Sequence, residues 1–223
     1  MHLKAVLAAT ALAFVAITAW PVSAEDTFNA PVATRQADET GTRTAIFAGG
    51  CFWGIEAIFS HMNGVTSVVS GYHGGSAAEA QYRAVSAGGT GHAEVVRVTY
   101  NPAVVRYDQL LQVLFSVGAD PTQLNRQGPD RGSQYRSAIV PMTQEQRAVA
   151  TAYLAQMRRS GVWEQPIVVA VENYQRFYPA EAYHQDYLLN NPANPYIVRW
   201  DAPKVAALRT MFPRLWRATY RTG

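Results

Sequence analysis

The stretch TAIFAGGCFWGIEAIFSHM, residues 44–62, changes its hydrophobic period halfway along. Thr44 to Ala48 is a short apolar strand, stopped by Gly49-Gly50. From Cys51 on, Phe52, Ile55, Phe59 and Met62 recur at spacings of three and four, the helical period. Working outward, Val65 to Tyr72 reads as a second strand and Ala93 to Tyr100 as a third, ended by Asn101-Pro102. Tyr107 to Val117 has helical apolar spacing, and Gly118 to Gly132 is a long loop rich in turn residues. A strand is expected near Tyr135 to Val140. Thr143, with Gln146 three residues on, caps a helix running to about Arg158. Pro166 to Glu172 reads as a strand, Ala180 to Leu188 as a short helix, and Val205 to Phe212 as a terminal helix. Interleaved strands and helices, with no repeat and no later linker, predict one α/β or α+β domain.

The 223 residues are 48% hydrophobic and 16% charged, which excludes disorder, collagen-like repeats and coiled coil. A net charge of +3 is too small an excess to argue for nucleic acid. The single cysteine can neither close an internal disulfide nor supply a Cys-rich zinc site.

Residues 1–24 read as an export signal. A weakly basic start is followed by an uncharged apolar run, Ala5 to Trp20, then Pro21 and the small pair Ser23-Ala24. The competing reading is a retained anchor, although a membrane span needs about 20 apolar residues. Cleavage after Ala24 places the protein in a periplasm or outside the cell. Residues 25–42 are polar and aperiodic, and read as a flexible lead-in to a domain over residues 43–223.

Cys51 falls in the first turn of the helix, where free N–H groups and the positive dipole end favour a thiolate. The plain alternative is a small buried apolar residue. Phe52 and Trp53 suit either the core or an apolar substrate pocket. On the third strand, Glu94 is in phase with Val96, Val98 and Tyr100, the apolar side. Burial there would raise its pKa and suit a general acid, whereas a carboxylate wetted by the preceding glycine-rich loop would stay ordinary. His92-Ala93-Glu94 matches half of a zinc-deaminase signature, but no second cysteine completes it. Cys51 with the distant His184, and Asn190 or Asn191, keeps a papain-like hydrolase as the runner-up. Tyr82, Tyr135 and Asp130 are ambiguous alone. The basic face of the terminal helix reads as ordinary solvated surface rather than a membrane contact.

Taken together, FAGGCFWGIE (47–56), VSGYHGG (69–75), GHAEVV (91–96), DPTQLNRQGPD (120–130), GSQYRS (132–137) and FYPAE (177–181) with YHQ (183–185) closely resemble the A-type peptide methionine sulfoxide reductases. The resemblance runs in family order over roughly residues 44–195. It implies a single compact α+β domain with a mixed sheet flanked by helices, two layers deep around a ferredoxin-like core. It implies reduction of the S-epimer of methionine sulfoxide, free or in proteins, with no metal and no bound cofactor. Cys51 would attack the sulfoxide sulfur, with Glu94 as proton donor assisted by Tyr82 and Tyr135. Phe52 and Trp53 would hold the S-methyl group, and Asp130 and His184 would contact the polar part of the substrate.

Many family members carry resolving cysteines in a C-terminal tail. Here the corresponding NPANPYIVRWD (191–201) has none, Ser86 stands where many have a further cysteine, and Ala119 and Ala182 replace commonly polar positions. An external thiol (thioredoxin-like, glutaredoxin-like or glutathione) is therefore the expected reductant of a monomeric enzyme. Three other uses of the chain compete with this one: a cysteine hydrolase, a non-catalytic exported binding protein and a Cys51-linked dimer.

Overall fold

A computed structural model describes residues 27–222 of the chain. The export-signal expectation for residues 1–24 lies outside the described residues. Strand β1 (Arg43–Gly49) is followed by helix α1 (Phe52–Ser60), β2 (Val65–His73), α2 (Tyr82–Ala87), β3 (Ala93–Tyr100) and α3 (Tyr107–Val113). A small hairpin of β4 (Arg126–Gln127) and β5 (Asp130–Arg131) precedes β6 (Ser137–Val140) and α4 (Gln144–Arg159). Then come β7 (Ala170–Val171), β8 (Phe177–Pro179), α5 (Tyr187–Asn190) and α6 (Ala202–Met211).

The main sheet has the order β7-β6-β1-β3-β2-β8. All its pairings are antiparallel except that of β6 with β7, so the sheet is mixed. Within it, β6-β1-β3-β2 with its connecting helices follows the split βαβ plan. One face carries Phe47, Val68, Val96, Val98 and Tyr100 into the core built with α1, α3 and α4. The other face holds a smaller apolar cluster around Ile46, Val95, Val140 and Phe177. The alternation that gives each strand two faces thus sorts its residues between two clusters. This is the α+β domain with a mixed sheet and flanking helices that the family resemblance implies.

The register positions the site. Phe47 of β1 lies opposite Val96 of β3, and Tyr72 of β2 lies opposite Glu94. The end of β1 therefore meets the start of β3, and Cys51 arrives beside Glu94. Gly50 makes this turn with φ +90°, and a Cβ there would stand 2.4 Å from that of Gln127. Only glycine fits both demands.

Several elements differ from expectation. The strand expected from Tyr135 starts at Ser137, because Ser133–Tyr135 forms a 3-10 turn. Of Pro166 to Glu172 only Ala170–Val171 pairs, in parallel with β6. The helix expected over Ala180 to Leu188 is broken into a 3-10 turn, Ala182–His184, and the short α5, with Asp186 at φ +54° between them. The terminal helix begins earlier, at Ala202, behind a π-turn over Ile197–Asp201.

The lead-in is irregular over residues 27–42, as its composition implies, but it is docked rather than loose. Ala30 and Ala33 are buried, and the carbonyl of Pro31 accepts the Tyr153 hydroxyl at 2.8 Å. Glu39 accepts from the hydroxyl of Tyr100 and from Nε2 of Gln146. These partners come from α4 and the far end of β3, and together they hold the segment against the domain. No helix among the described residues is long and apolar enough to cross a membrane.

Candidate active site

Cys51 occupies the N-cap position of α1, one residue earlier than a first-turn placement, and its thiol opens into a cavity of about 330 Å³. Phe52, Trp53, Tyr82, Glu94, Asp130 and Tyr135 line the same cavity, with Asn194 and Tyr196 closing it from the C-terminal segment. Seven of the eight residues singled out in the sequence therefore converge on one space, although they come from five separate stretches of chain.

Glu94 is 2% exposed. Its Oε2 accepts the backbone N–H of Phe52 at 3.1 Å, which ties the start of β3 to the start of α1. Burial, with added repulsion from Asp130 and Asp201, outweighs that bond and lifts the carboxyl to about 8. Glu94 is thus a neutral acid at physiological pH, the first of the two alternatives that its place at the start of the strand leaves open.

The expected thiolate at Cys51 is overturned for the resting protein. The backbone N–H of Trp53 does favour the anion, as a helix start should. Burial outweighs it, with Glu94, Asp201 and Asp130 adding in the same direction, and the thiol is pushed well above its usual range. Burial, with Glu94 next in weight, likewise raises the hydroxyls of Tyr82 and Tyr135, which remain protonated donors.

Trp53 is braced by three side chains. Its ring stacks on Tyr187 with centroids 3.7 Å apart and planes 7° from parallel, and Tyr196 meets it edge-on at 5.9 Å. Its indole N–H donates to Nδ1 of His184 at 3.0 Å. Phe52 is buried against Tyr72 and His184.

His184 is the exception to the predicted set. It is 1% exposed, packed between Phe52, Trp53 and Tyr82, and it is not among the cavity-lining residues. Burial lowers its pKa, so the ring is neutral and accepts from Trp53 through Nδ1. A histidine committed in this way supports the aromatic wall and is not placed as the base of a cysteine hydrolase. Asn190 and Asn191 make only local amide contacts with Gln185 and Tyr187.

The sequence reading missed Tyr196, whose hydroxyl donates to Asp130 Oδ2 and fixes that carboxylate at the cavity edge. It also missed Glu181, whose carboxylate accepts the backbone N–H of Tyr82 and the hydroxyl of Tyr72, both at 2.9 Å. For Tyr196 the one local signal is its place after Pro195 in a turn-rich run, and that alone says nothing of chemistry.

The assembled site has a buried neutral acid, tyrosine donors, an aromatic wall and one thiol. It can protonate an oxygen while presenting sulfur to the atom that carries it. Comparison with known proteins points the same way. The profile of the family described as peptide methionine sulfoxide reductase matches residues 43–214. The chain is 53% identical over 176 residues to peptide methionine sulfoxide reductase MsrA 2 of Mesorhizobium japonicum, covering 79% of this chain and 90% of that one. It is 46% identical over 185 residues to MsrA of Deinococcus radiodurans, covering 80% and 89%. Among solved structures, methionine sulfoxide reductase A of Corynebacterium diphtheriae is similar at 33% identity and a TM-score of 0.58, covering 78% of this chain and 85% of that chain. Reduced Mxr1 from Saccharomyces cerevisiae is similar at 31% identity and a TM-score of 0.61, covering 72% and 92%. This chain belongs to the peptide methionine sulfoxide reductase family.

Proposed function

We propose that this protein reduces the S-epimer of methionine sulfoxide, free or within oxidised proteins, as a repair of oxidative damage. The observation that carries the reading is Glu94: a fully buried carboxyl, protonated near neutral pH, in the same cavity as the one cysteine of the sequence. The S-methyl group rests against Phe52 and Trp53. Glu94 gives its proton to the sulfoxide oxygen, with Tyr82 and Tyr135 donating hydrogen bonds to the same atom. The Cys51 proton refills Glu94 as its sulfur attacks the sulfoxide sulfur. The bond between the two sulfurs then breaks as the hydroxyl passes from the substrate sulfur to Cys51, which releases methionine. The substrate sulfur gains two electrons and Cys51 becomes a sulfenic acid.

No second cysteine in the sequence can displace that hydroxyl. An external thiol (thioredoxin-like, glutaredoxin-like or glutathione) attacks the sulfenic acid, releasing water and leaving a mixed disulfide. A second thiol then resolves it to Cys51-SH and the oxidised reductant. The apolar run and the small residues before Glu25 support export to a periplasm or beyond, with the chain acting as a monomer without metal or bound cofactor.

The test is a single turnover without reductant, on separated S- and R-methionine sulfoxide. About one methionine per chain from the S-epimer alone, with a sulfenic acid trapped on Cys51, is the expected result. Methionine formed by Cys51→Ser, or none formed by the wild type with Cys51 reduced and accessible, sinks the reading.

A further inference from the structure

Arg136 directly follows Tyr135, and its guanidinium is committed in three directions. Nη1 donates to the Ser133 carbonyl at 3.0 Å, inside the turn that carries Tyr135. Nη2 donates to the Gly91 carbonyl at 3.3 Å, in the loop that feeds β3 just ahead of Glu94. Nε and Nη2 also donate to Oε1 and Oε2 of Glu172, at 2.7 and 3.3 Å. The pair is mostly buried, with side-chain exposures of 19% and 22%.

Glu172 is itself fixed. Its backbone N–H donates to the Ile139 carbonyl on β6 at 2.9 Å. His73, at the end of β2, brings Nδ1 to 3.5 Å from Glu172 Oε2. Since Nε2 of that ring accepts the N–H of Gln175 at 3.2 Å, Nδ1 carries the ring proton and faces the carboxylate. Burial would raise the Glu172 carboxyl, but the facing His73 ring and the bonds and charge of Arg136 win and hold it at about 2. The anchor therefore stays charged through the whole neutral range.

None of Arg136, Glu172 and His73 lines the cavity. Yet Arg136 bonds both the turn that carries Tyr135 and the loop that leads into the strand carrying Glu94. A planar fork can satisfy carbonyls and a carboxylate at once, which a lysine ammonium on one flexible stem cannot do with the same geometry. We propose that Arg136, anchored on Glu172, is a positioning residue that holds the Tyr135 hydroxyl in register with Glu94 for proton delivery to the sulfoxide oxygen. This rests on the reductase reading above.

The test is a double-mutant cycle on single-turnover rate and half-saturation, using wild type, Arg136→Met, Tyr135→Phe and the double variant. Arg136→Met should lower the maximal rate about ten- to a hundredfold, as a misplaced donor does. In the Tyr135→Phe background the same change should cost less than about twofold, the scatter left where no coupling remains. Arg136→Lys should fall between wild type and Arg136→Met, and it carries the same cycle if thermal melting shows Arg136→Met unfolded. Equal losses in both backgrounds would make Arg136 a general structural residue and overturn the proposal. So would a Tyr135→Phe variant with the wild-type rate, since Arg136 would then have nothing to act through. A wild type that makes no methionine overturns both this proposal and the reductase reading, whereas an additive cycle on an active wild type overturns this proposal alone.

Discussion

Glu94 is tuned for chemistry at the expense of stability. With its folded pKa near 8 and an unfolded value near 4.5, the native state holds a proton between these limits that the unfolded state releases. Stability therefore falls as pH rises from about 4.5 to about 8, the reverse of a salt-bridged carboxylate. Glu94→Gln removes this penalty and should stabilise the protein by up to about 3 kcal/mol at pH 7. The gain should vanish below about pH 4, where both states are protonated. The same variant should lose at least a hundredfold in single-turnover rate, on the order of what a missing general acid costs. The wild-type rate should decline through about pH 8 as Glu94 gives up its proton. Denaturant melts of both proteins at pH 4 and 7 check the first claim; a Glu94→Gln advantage over wild type no larger at pH 7 than at pH 4 refutes it. Cys51 and Glu94 are legible in the sequence because their placement is local: a glycine-stopped strand turning into a helix, and a carboxyl in phase with the apolar side of its strand. The thiol's ionisation is not legible, since it depends on burial, and on Glu94, Asp201 and Asp130 being brought around it by the fold.

At the scale of elements, α1 and the π-turn over Ile197–Asp201 meet through Gly54. A Cβ at that position would lie 2.3 Å from Oδ1 of Asp201, which is fully buried. Helix position alone would tolerate alanine, and even favour it. The contact decides otherwise: Gly54→Ala must push away the turn that begins next to Tyr196, and with it the hydroxyl that holds Asp130. We expect a loss of about 1–3 kcal/mol, the usual cost of forcing extra volume into a packed contact. A slower single turnover should accompany it. Wild-type melting and rate in Gly54→Ala would show that the turn yields freely. The break in the helix expected over Ala180 to Leu188 has the same origin in long-range contacts. Gln185 uses Oε1 to accept the Ser70 N–H and Nε2 to donate to the Ser70 and Ala180 carbonyls. Its side chain thus takes the place of a strand partner for β2. Glu181, at the front of the same segment, is spent on Tyr82 and Tyr72. Local apolar spacing cannot register such demands, whereas β3 and α4, whose patterns are self-consistent, appear where the sequence puts them.

Across the whole molecule, the segment before β1 closes the end of the sheet remote from the active site. Its composition gives no hint of this. The groups that hold it, on Tyr100, Gln112, Gln146, Tyr153 and Gln156, lie far along the chain, and a polar stretch reads as loose until they are known. The central contact is Glu39, which accepts the hydroxyl of the fully buried Tyr100. Glu39→Ala leaves that hydroxyl without its acceptor, a loss of about 1–3 kcal/mol for a buried donor. For a domain of this size that lowers the melting temperature by about 2–4 °C per kcal/mol. Tyr100 and Glu94 mark opposite ends of β3, about 20 Å apart at the rise of an extended strand. The reductase step should therefore proceed at the wild-type rate in Glu39→Ala at temperatures where the protein is folded. Thermal melting paired with single-turnover rates separates the two properties. A lower melting temperature with an unchanged rate places the segment in the stability of the fold alone. A slowed turnover in the fully folded variant would mean that strain at the lead-in is transmitted along β3 to Glu94, and that the two ends of the sheet are not independent.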